Sequence, residues 1–256
     1  RAVRQAFAEK YDAGPFEKLL KAVFGDQKLS DCRSNLLVTS YDTDKRAPYF
    51  FKHYDETAAS RAASRAVELP EDYFLRDVAR ATTAAPTYFL PARVRSVSGV
   101  DRTLLDGGLV ANNPALSAYV EARKIRRNAR KFVIVSLGTG RNGRRFSYER
   151  VSKWGYLDWV SPILGVPMLA FMTDGQSEAA AHSLKNLPRI EYYRFNADLT
   201  AVAEEMDDAS PENMELVEKM ARSIIRENSK ELHRLARVLY RHSIRRRRQS
   251  RRRQSR

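Results

Sequence analysis

Thr103-Leu104-Leu105-Asp106-Gly107-Gly108-Leu109-Val110-Ala111-Asn112-Asn113-Pro114 decides how this chain is read. An apolar strand ends in a carboxylate, two glycines follow, and a helix starts, with Asn113 as its cap and Pro114 in the favoured first position. The glycines allow positive φ and put no Cβ in the way, so a reacting group can come close to the acid. The positive end of the helix starting near Pro114 is expected to help keep Asp106 ionised. An ionised, fixed carboxylate can serve as a general base for a hydroxyl. Asp-Gly is also a common turn pair, so the stretch needs support from its surroundings.

Outward from that turn the chain alternates strands and helices. Gly14 to Phe24 reads as a helix, with Phe16, Leu19, Leu20 and Val23 at helical spacing. Asn35 to Ser40 and Phe132 to Leu137 read as strands, apolar without interruption as expected where both faces are covered. Tyr49 to Tyr54 is a strand paired with Asn35–Ser40, and Asp42, Asp44 and Pro48 mark the turn between them. A long helix is expected from Pro70, with Glu71 and Asp72 in its first turn. It leads into Ala81-Thr82-Thr83-Ala84-Ala85-Pro86, whose small residues allow close backbone packing. After the turn, a helix runs to about Arg127. Helical segments fall between Val151 and Leu187, a strand spans Ile190 to Asn196, and helices fill Pro211 to about Arg241. The pattern implies an α/β fold with a mostly parallel sheet and helices on both sides.

The chain has 256 residues, 43% hydrophobic, which is ordinary for one globular domain. The net charge is +15, but Arg245 to Arg256 holds eight arginines and no acids, and removing them leaves +7. Half of the basic excess is therefore a terminal run, expected to be disordered, and nucleic-acid binding cannot be argued from the overall charge. Cys32 is the one cysteine, which excludes an internal disulfide and fits a reducing compartment. The longest apolar stretch, Val160 to Met172, is broken by Pro162, Gly165 and Pro167 and is too short to cross a bilayer. A cytoplasmic or membrane-peripheral location is the expectation.

Three segments occur in a fixed order: Ala81 to Pro91, Leu105 to Pro114, and Ser136-Leu137-Gly138-Thr139-Gly140. Together with Lys153-Trp154-Gly155 and Leu29-Ser30-Asp31, they resemble the C-terminal part of the patatin-like phospholipases, over roughly Tyr11 to Arg226. The resemblance implies a three-layer α/β/α fold over residues 1–244. It also implies hydrolysis of phospholipid or other acyl-lipid esters by a Ser–Asp dyad, without histidine, cofactor or calcium. In that family a serine in a Gly-x-Ser-x-Gly elbow attacks the ester, and the Asp of an Asp-Gly-Gly or Asp-Gly-Ala motif activates it. Here Asp106 matches that acid, with Gly107 and Gly108 shaping its turn. No Gly-x-Ser-x-Gly occurs in the chain, and the expectation is that the elbow and the glycine-rich oxyanion loop would lie before Arg1. The alternative is a catalytically inactive lipid-binding or storage-like domain of the same fold.

Other residues have plainer readings. Ser136 and Ser147 lack a strand–elbow–helix context. His53, His182, His233 and His242 lie far from Asp106 in sequence, and no His-x-x-x-His pair or second cysteine suggests a metal. Thr139 and Gly140 are expected to border the same cleft as Asp106. Ile163, Leu164, Met168, Leu169, Phe171 and Met172 are expected mainly as helix packing, with an acyl-chain groove as a further role. The Arg245–Arg256 run suits a solvated end, or a peripheral contact with anionic lipid headgroups at about 1 kcal/mol per residue.

Overall fold

The first strands form an antiparallel hairpin in the computed structural model, which describes residues 9–55, 70–142, 146–161, 166–199 and 207–254. Two compact units divide the chain, the first from residues 1–132 and 171–189, the second from 133–170 and 190–256.

In the first unit, α1 (Gly14–Phe24) has Pro15 in its first turn and stops at Gly25, whose φ of 54° ends the helix. Strand β1 (Leu36–Asp42) pairs with β2 (Ala47–His53) from Leu36↔His53 to Asp42↔Ala47. The Asp42 carboxylate closes the hairpin by accepting the N–H groups of Asp44 (3.1 Å) and Lys45 (3.0 Å), while Pro48 lies in β2 rather than in the turn. Helix α2 spans Leu75–Thr82, and β3 (Ala92–Arg95) and β4 (Asp101–Leu105) form a second hairpin. Strand β4 joins β1 at Tyr41↔Leu105 and Asp42↔Leu104, giving the order β2-β1-β4-β3.

Every pair in this four-stranded sheet is antiparallel, which corrects the expected mostly parallel arrangement. Within each hairpin only residues 43–46 or 96–100 separate the partners, too few for the crossover that a parallel pair requires. The helix expected from Pro70 begins at Leu75 instead. The acids that suggested a first turn are engaged elsewhere. Asp72 accepts the N–H and hydroxyl of Ser30 at 3.1 and 2.8 Å. Glu71 accepts from Tyr73 at 2.7 Å and Arg102 at 3.0 Å. Arg102 also pairs with the buried Asp42 at 3.2 Å and lies 4.4 Å from the centre of the Tyr49 ring.

Phe51, Tyr73, Val78, Ala81, Ala84 and Leu104 belong to the buried core between α2 and this sheet. The rings of Phe51 and Tyr73 meet edge to face at 4.9 Å. Ala81 and Ala84 are fully buried, so the small residues do bring α2 and its following loop close to the strands. Beyond β4 come the one-turn α3 (Gly108–Ala111) and α4 (Ala115–Ile125), which ends two residues short of the expected Arg127.

The second unit is built on β5 (Phe132–Leu137), followed by β6 (Arg141–Asn142), α5 (Tyr148–Val151), α6 (Tyr156–Trp159) and α7 (Pro167–Asn186). Residues of α7 from Phe171 onward belong to the first unit. Then come β7 (Ile190–Phe195), β8 (Asp198–Leu199), α8 (Pro211–Glu227) and α9 (Ser229–Gln254). Phe132 N–H donates to Arg189 O and Gly138 N–H to Phe195 O, a register that advances the same way on both chains, so β5 and β7 are parallel. The β6–β8 pair is parallel as well. The fold is therefore mixed α/β, with parallel pairs confined to this unit among the described residues.

Strand β5 is less covered than its apolar run implies, since Val135 is 39% and Leu137 75% exposed. Tyr193, Phe195 and Leu235 form the buried cluster here, with Val133, Ile224 and Leu232 packed on it. Helix α9 continues through the arginine-rich end to Gln254, where the composition had suggested an unstructured tail. Arg and Gln are good helix formers, and a helix already nucleated on Leu232 and Leu235 propagates through them at little cost.

Candidate active site

Asp106 follows β4 directly, and its turn is fixed from two sides. From the end of α2 and the loop after it, Thr82 O accepts the Gly107 N–H and Ala84 O accepts the Asp106 N–H, both at 3.0 Å. From β1, the Thr39 hydroxyl donates to Gly107 O (3.3 Å) and the Ser40 hydroxyl to Leu105 O (2.5 Å). The Thr82 hydroxyl ties the two sides together by donating to Thr39 O at 2.8 Å. Thr39 and Ser40 are buried, so these bonds are shielded from water.

The glycines serve space rather than unusual torsion. Gly107 has φ −68° and ψ −23°, an ordinary helical conformation, and Gly108 is not among the residues with positive φ. The positive φ that glycine allows is used at neither position. A β-carbon on Gly107 would overlap the Thr39 carbonyl and hydroxyl, and one on Gly108 would stand 2.9 Å from Asp106 Oδ1.

Asp106 is half-buried. The Gly108 N–H donates to its Oδ1 at 2.6 Å, and among the described residues no other group bonds to the carboxylate. One oxygen is left for an incoming hydroxyl. Burial pushes the carboxyl above the usual Asp range, and the Gly108 bond only partly pulls it back. This corrects the expectation that a helix end would favour the ionised form. The helix beside the acid is the single turn of α3, while α4 begins at Ala115, whose N–H goes to Asn113 Oδ1 at 3.3 Å.

Two further residues brace the turn from α7. Gln176 Nε2 donates to Leu109 O at 3.2 Å, and Asn113 Nδ2 donates to Ser177 O at 3.4 Å. Sequence reasoning missed Gln176, Thr39 and Thr82. The small-residue run hinted at Thr82, but nothing local links Gln176 to a turn so distant in the chain. Gly175-Gln176-Ser177-Glu178-Ala179 falls one residue short of an elbow pattern, yet it sits in the middle of α7 rather than between a strand and a helix.

The other singled-out residues have structural partners. Gly138 to Gly140 belongs to the second unit, where the Gly140 N–H donates to Asn196 Oδ1 at 2.9 Å. The Ser136 hydroxyl accepts from Arg194 at 2.9 Å, and Ser147 occupies the cap position of α5. His182 lies 3.3 Å from Asn186 Nδ2, and His233 Nδ1 lies 2.7 Å from Ser229 O. His53 Nε2 is buried without a partner among the described residues, and the side chain of His242 lies outside them. Ile163 and Leu164 also lie outside them, while Met168, Phe171 and Met172 are exposed on α7. Among the described residues no group of three His, Cys, Asp or Glu is placed to hold a metal, and no helix is long and apolar enough to cross a membrane.

The family model described as patatin-like phospholipase matches residues 5–119, a span that takes in β1, α2 and the whole Asp106 turn. Most of the chain is similar to patatin-like proteins. Patatin-like protein 2 of Arabidopsis thaliana is 29% identical to it over 251 residues, covering 88% of this chain and 59% of that protein. Patatin-like protein 3 of the same plant is 30% identical over 252 residues, covering 88% and 56%. Probable inactive patatin-3-Kuras 1 of Solanum tuberosum is 26% identical over 243 residues, covering 87% and 62%. The chain thus spans less than two thirds of the length of these relatives.

Proposed function

We propose that this patatin-like chain carries the acid of a Ser–Asp dyad that hydrolyses carboxylic esters of phospholipids or related acyl lipids. The observation that carries the reading is the state of Asp106. One of its oxygens is tied to the Gly108 N–H, the other is unengaged among the described residues, and burial raises its proton affinity. A base works best when its pKa is brought toward the working pH, and burial moves this one in that direction.

In the reaction, the Asp106 carboxylate accepts the proton of a serine hydroxyl as the serine oxygen bonds to the ester carbonyl carbon. The bond to the leaving alkoxide breaks, and that alkoxide takes the proton back from Asp106. Water, deprotonated by the same carboxylate, then releases the fatty acid from the acyl-serine. The serine is not in an elbow of these 256 residues, because no Gly-x-Ser-x-Gly occurs among them. In the longest reading frame containing them, Asp106→Asn should lower hydrolysis of a p-nitrophenyl acyl ester by on the order of a thousandfold or more, the scale seen on loss of one member of a catalytic unit. Turnover near wild type would reject the assignment.

A second reading has its own support. One relative is named as probably inactive, and a patatin-like domain without a nucleophile would bind acyl lipids without cleaving them. A serine-reactive fluorophosphonate separates the two. Stoichiometric labelling of the longest reading frame supports the hydrolase, and no labelling supports the binding domain. The 256-residue chain alone is expected to stay unlabelled. An anionic membrane contact through Arg245–Arg256 is part of either reading.

A further inference from the structure

In the second unit, α5 and α6 present large side chains to solvent. Tyr148 and Tyr156 are each 81% exposed and Leu157 is 77% exposed. The two short helices are held together by rings. Trp154 meets Phe146 edge to face at 5.1 Å and meets Trp159 the same way, also at 5.1 Å. The Arg150 guanidinium lies 5.5 Å from the Phe146 ring centre, and Arg150 and Lys153 are both exposed. Of the two nearby acids, Asp158 is engaged by the Gly155 N–H at 2.8 Å, and Glu149 is exposed.

We propose that residues 146–159 form a docking surface for a phospholipid bilayer. Tyrosine and tryptophan carry an apolar ring with a polar edge, which suits the headgroup layer, and Leu157 can enter the acyl boundary. Arg150 and Lys153 supply cations for lipid phosphates. Size argues against a protein occupant. Three such side chains offer roughly 500 Å² of surface at about 150–250 Å² each, short of the ~800 Å² that a stable protein partner buries on each side. A lipid surface has no such minimum, because it conforms to whatever is inserted. The inference is independent of Asp106, and it rests on the lipid-hydrolase reading only for why the chain would need a membrane.

Trp154 and Trp159 are the two tryptophans of the chain, so tryptophan emission, excited selectively over the twelve tyrosines, reports on this segment alone. The 256-residue chain is mixed with vesicles of phosphatidylcholine containing a minority of phosphatidylglycerol. Emission should shift to the blue and be quenched by lipids with brominated acyl chains. Tyr156→Ser with Leu157→Ser should weaken vesicle binding by about tenfold or more, the loss expected when one buried apolar side chain is removed. Unchanged emission without vesicles confirms that the variant folds, and Tyr148→Ser provides a second variant if it does not. Replacing Arg245 to Arg248 with Gln should remove a salt-sensitive part of the binding and leave the blue shift. Asp106→Asn should bind vesicles as wild type does, so hydrolysis retained by that variant in the longest reading frame, with intact binding, counts against the dyad and not against this surface. Three results would overturn the surface: no vesicle binding, binding unaltered in the double variant, or binding without any change in tryptophan emission. Dimerisation that the double variant abolishes, with no effect of vesicles, would assign the face to a second copy of the chain instead.

Discussion

A β-carbon on residue 107 would occupy the space now held by the Thr39 carbonyl oxygen. The Asp106 turn and β1 are therefore in backbone contact, and only glycine fits between them. Gly107→Ala must push the turn away from β1, straining the bonds from Thr39 and to Thr82. Overpacking of this kind costs about 1–3 kcal/mol. For a chain of this size the melting temperature should fall by roughly 2–10 °C. By contrast Gly175, inside α7, has nothing within 4 Å of an added β-carbon. Gly175→Ala should stabilise by about 0.5–1 kcal/mol through helix propensity. Thermal unfolding of the two variants checks both signs, and equal shifts would contradict the packing account.

Asp106→Asn should not weaken the fold at neutral pH. Burial raises the proton affinity of the folded-state carboxyl. Its favourable contribution is then fully present below the unfolded pKa of about 3.9 and is lost as pH rises through the higher folded pKa. At pH 7 the ionised group is a burden that asparagine lacks, and Asn keeps an oxygen for the Gly108 N–H. The variant should melt at or above the wild-type temperature at pH 7, and its advantage should shrink as pH falls toward 4. A variant clearly less stable at pH 7 would contradict this.

Local patterns gave some elements residue for residue. Gly14–Phe24 and Phe132–Leu137 are bounded where capping and apolar runs place them. Strand direction was not legible, because an apolar run reads the same in a parallel or an antiparallel pair. The start of α2 was misplaced because Pro70, Glu71 and Asp72 look like a first turn, and their engagement with Tyr73, Arg102 and Ser30 is tertiary. At the candidate site, the close backbone approach was legible, since Asp-Gly-Gly leaves room that a β-carbon on residue 107 would fill. The hydroxyl ties of Thr39 and Thr82 and the brace from Gln176 depend on segments that meet only in the fold.

Arg102 holds two acids. Asp42 is 2% exposed, and Glu71 and Tyr73 share the same guanidinium. Arg102→Met keeps an apolar stem near Tyr49 but leaves a buried carboxylate without its cation, which costs about 3–5 kcal/mol. Burial pushes the Glu71 carboxyl up, but hydrogen bonds from Tyr73 and Arg102 and the Arg102 charge hold it below its usual range. That stabilisation is present above the unfolded Glu pKa of about 4.3 and lost as pH falls through the lower folded pKa. Urea unfolding should show the variant destabilised at pH 7, with the gap to wild type narrowing below about pH 4. A constant gap across that range would remove Glu71 from the account.

Gln176 tests whether the brace from α7 matters to the turn or only fills space. Its Nε2 bonds Leu109 O, while its Oε1 is buried with no partner among the described residues. Gln176→Met preserves length, removes the unsatisfied oxygen and also removes the donor. Leaving a buried acceptor unpaired costs about 1–3 kcal/mol, and losing an ordinary hydrogen bond about 0.5–1.5 kcal/mol. The two changes oppose each other, so global stability should stay within about 1 kcal/mol of wild type. The local effect is not cancelled, because only the lost donor acts on α3. The N–H groups of Val110 and Ala111, both bonded to Gly107 O, should then exchange with solvent severalfold faster. Unchanged exchange at those two amides, with stability also unchanged, would mean that the Asp106 turn is held by β1 and the loop after α2 without help from α7.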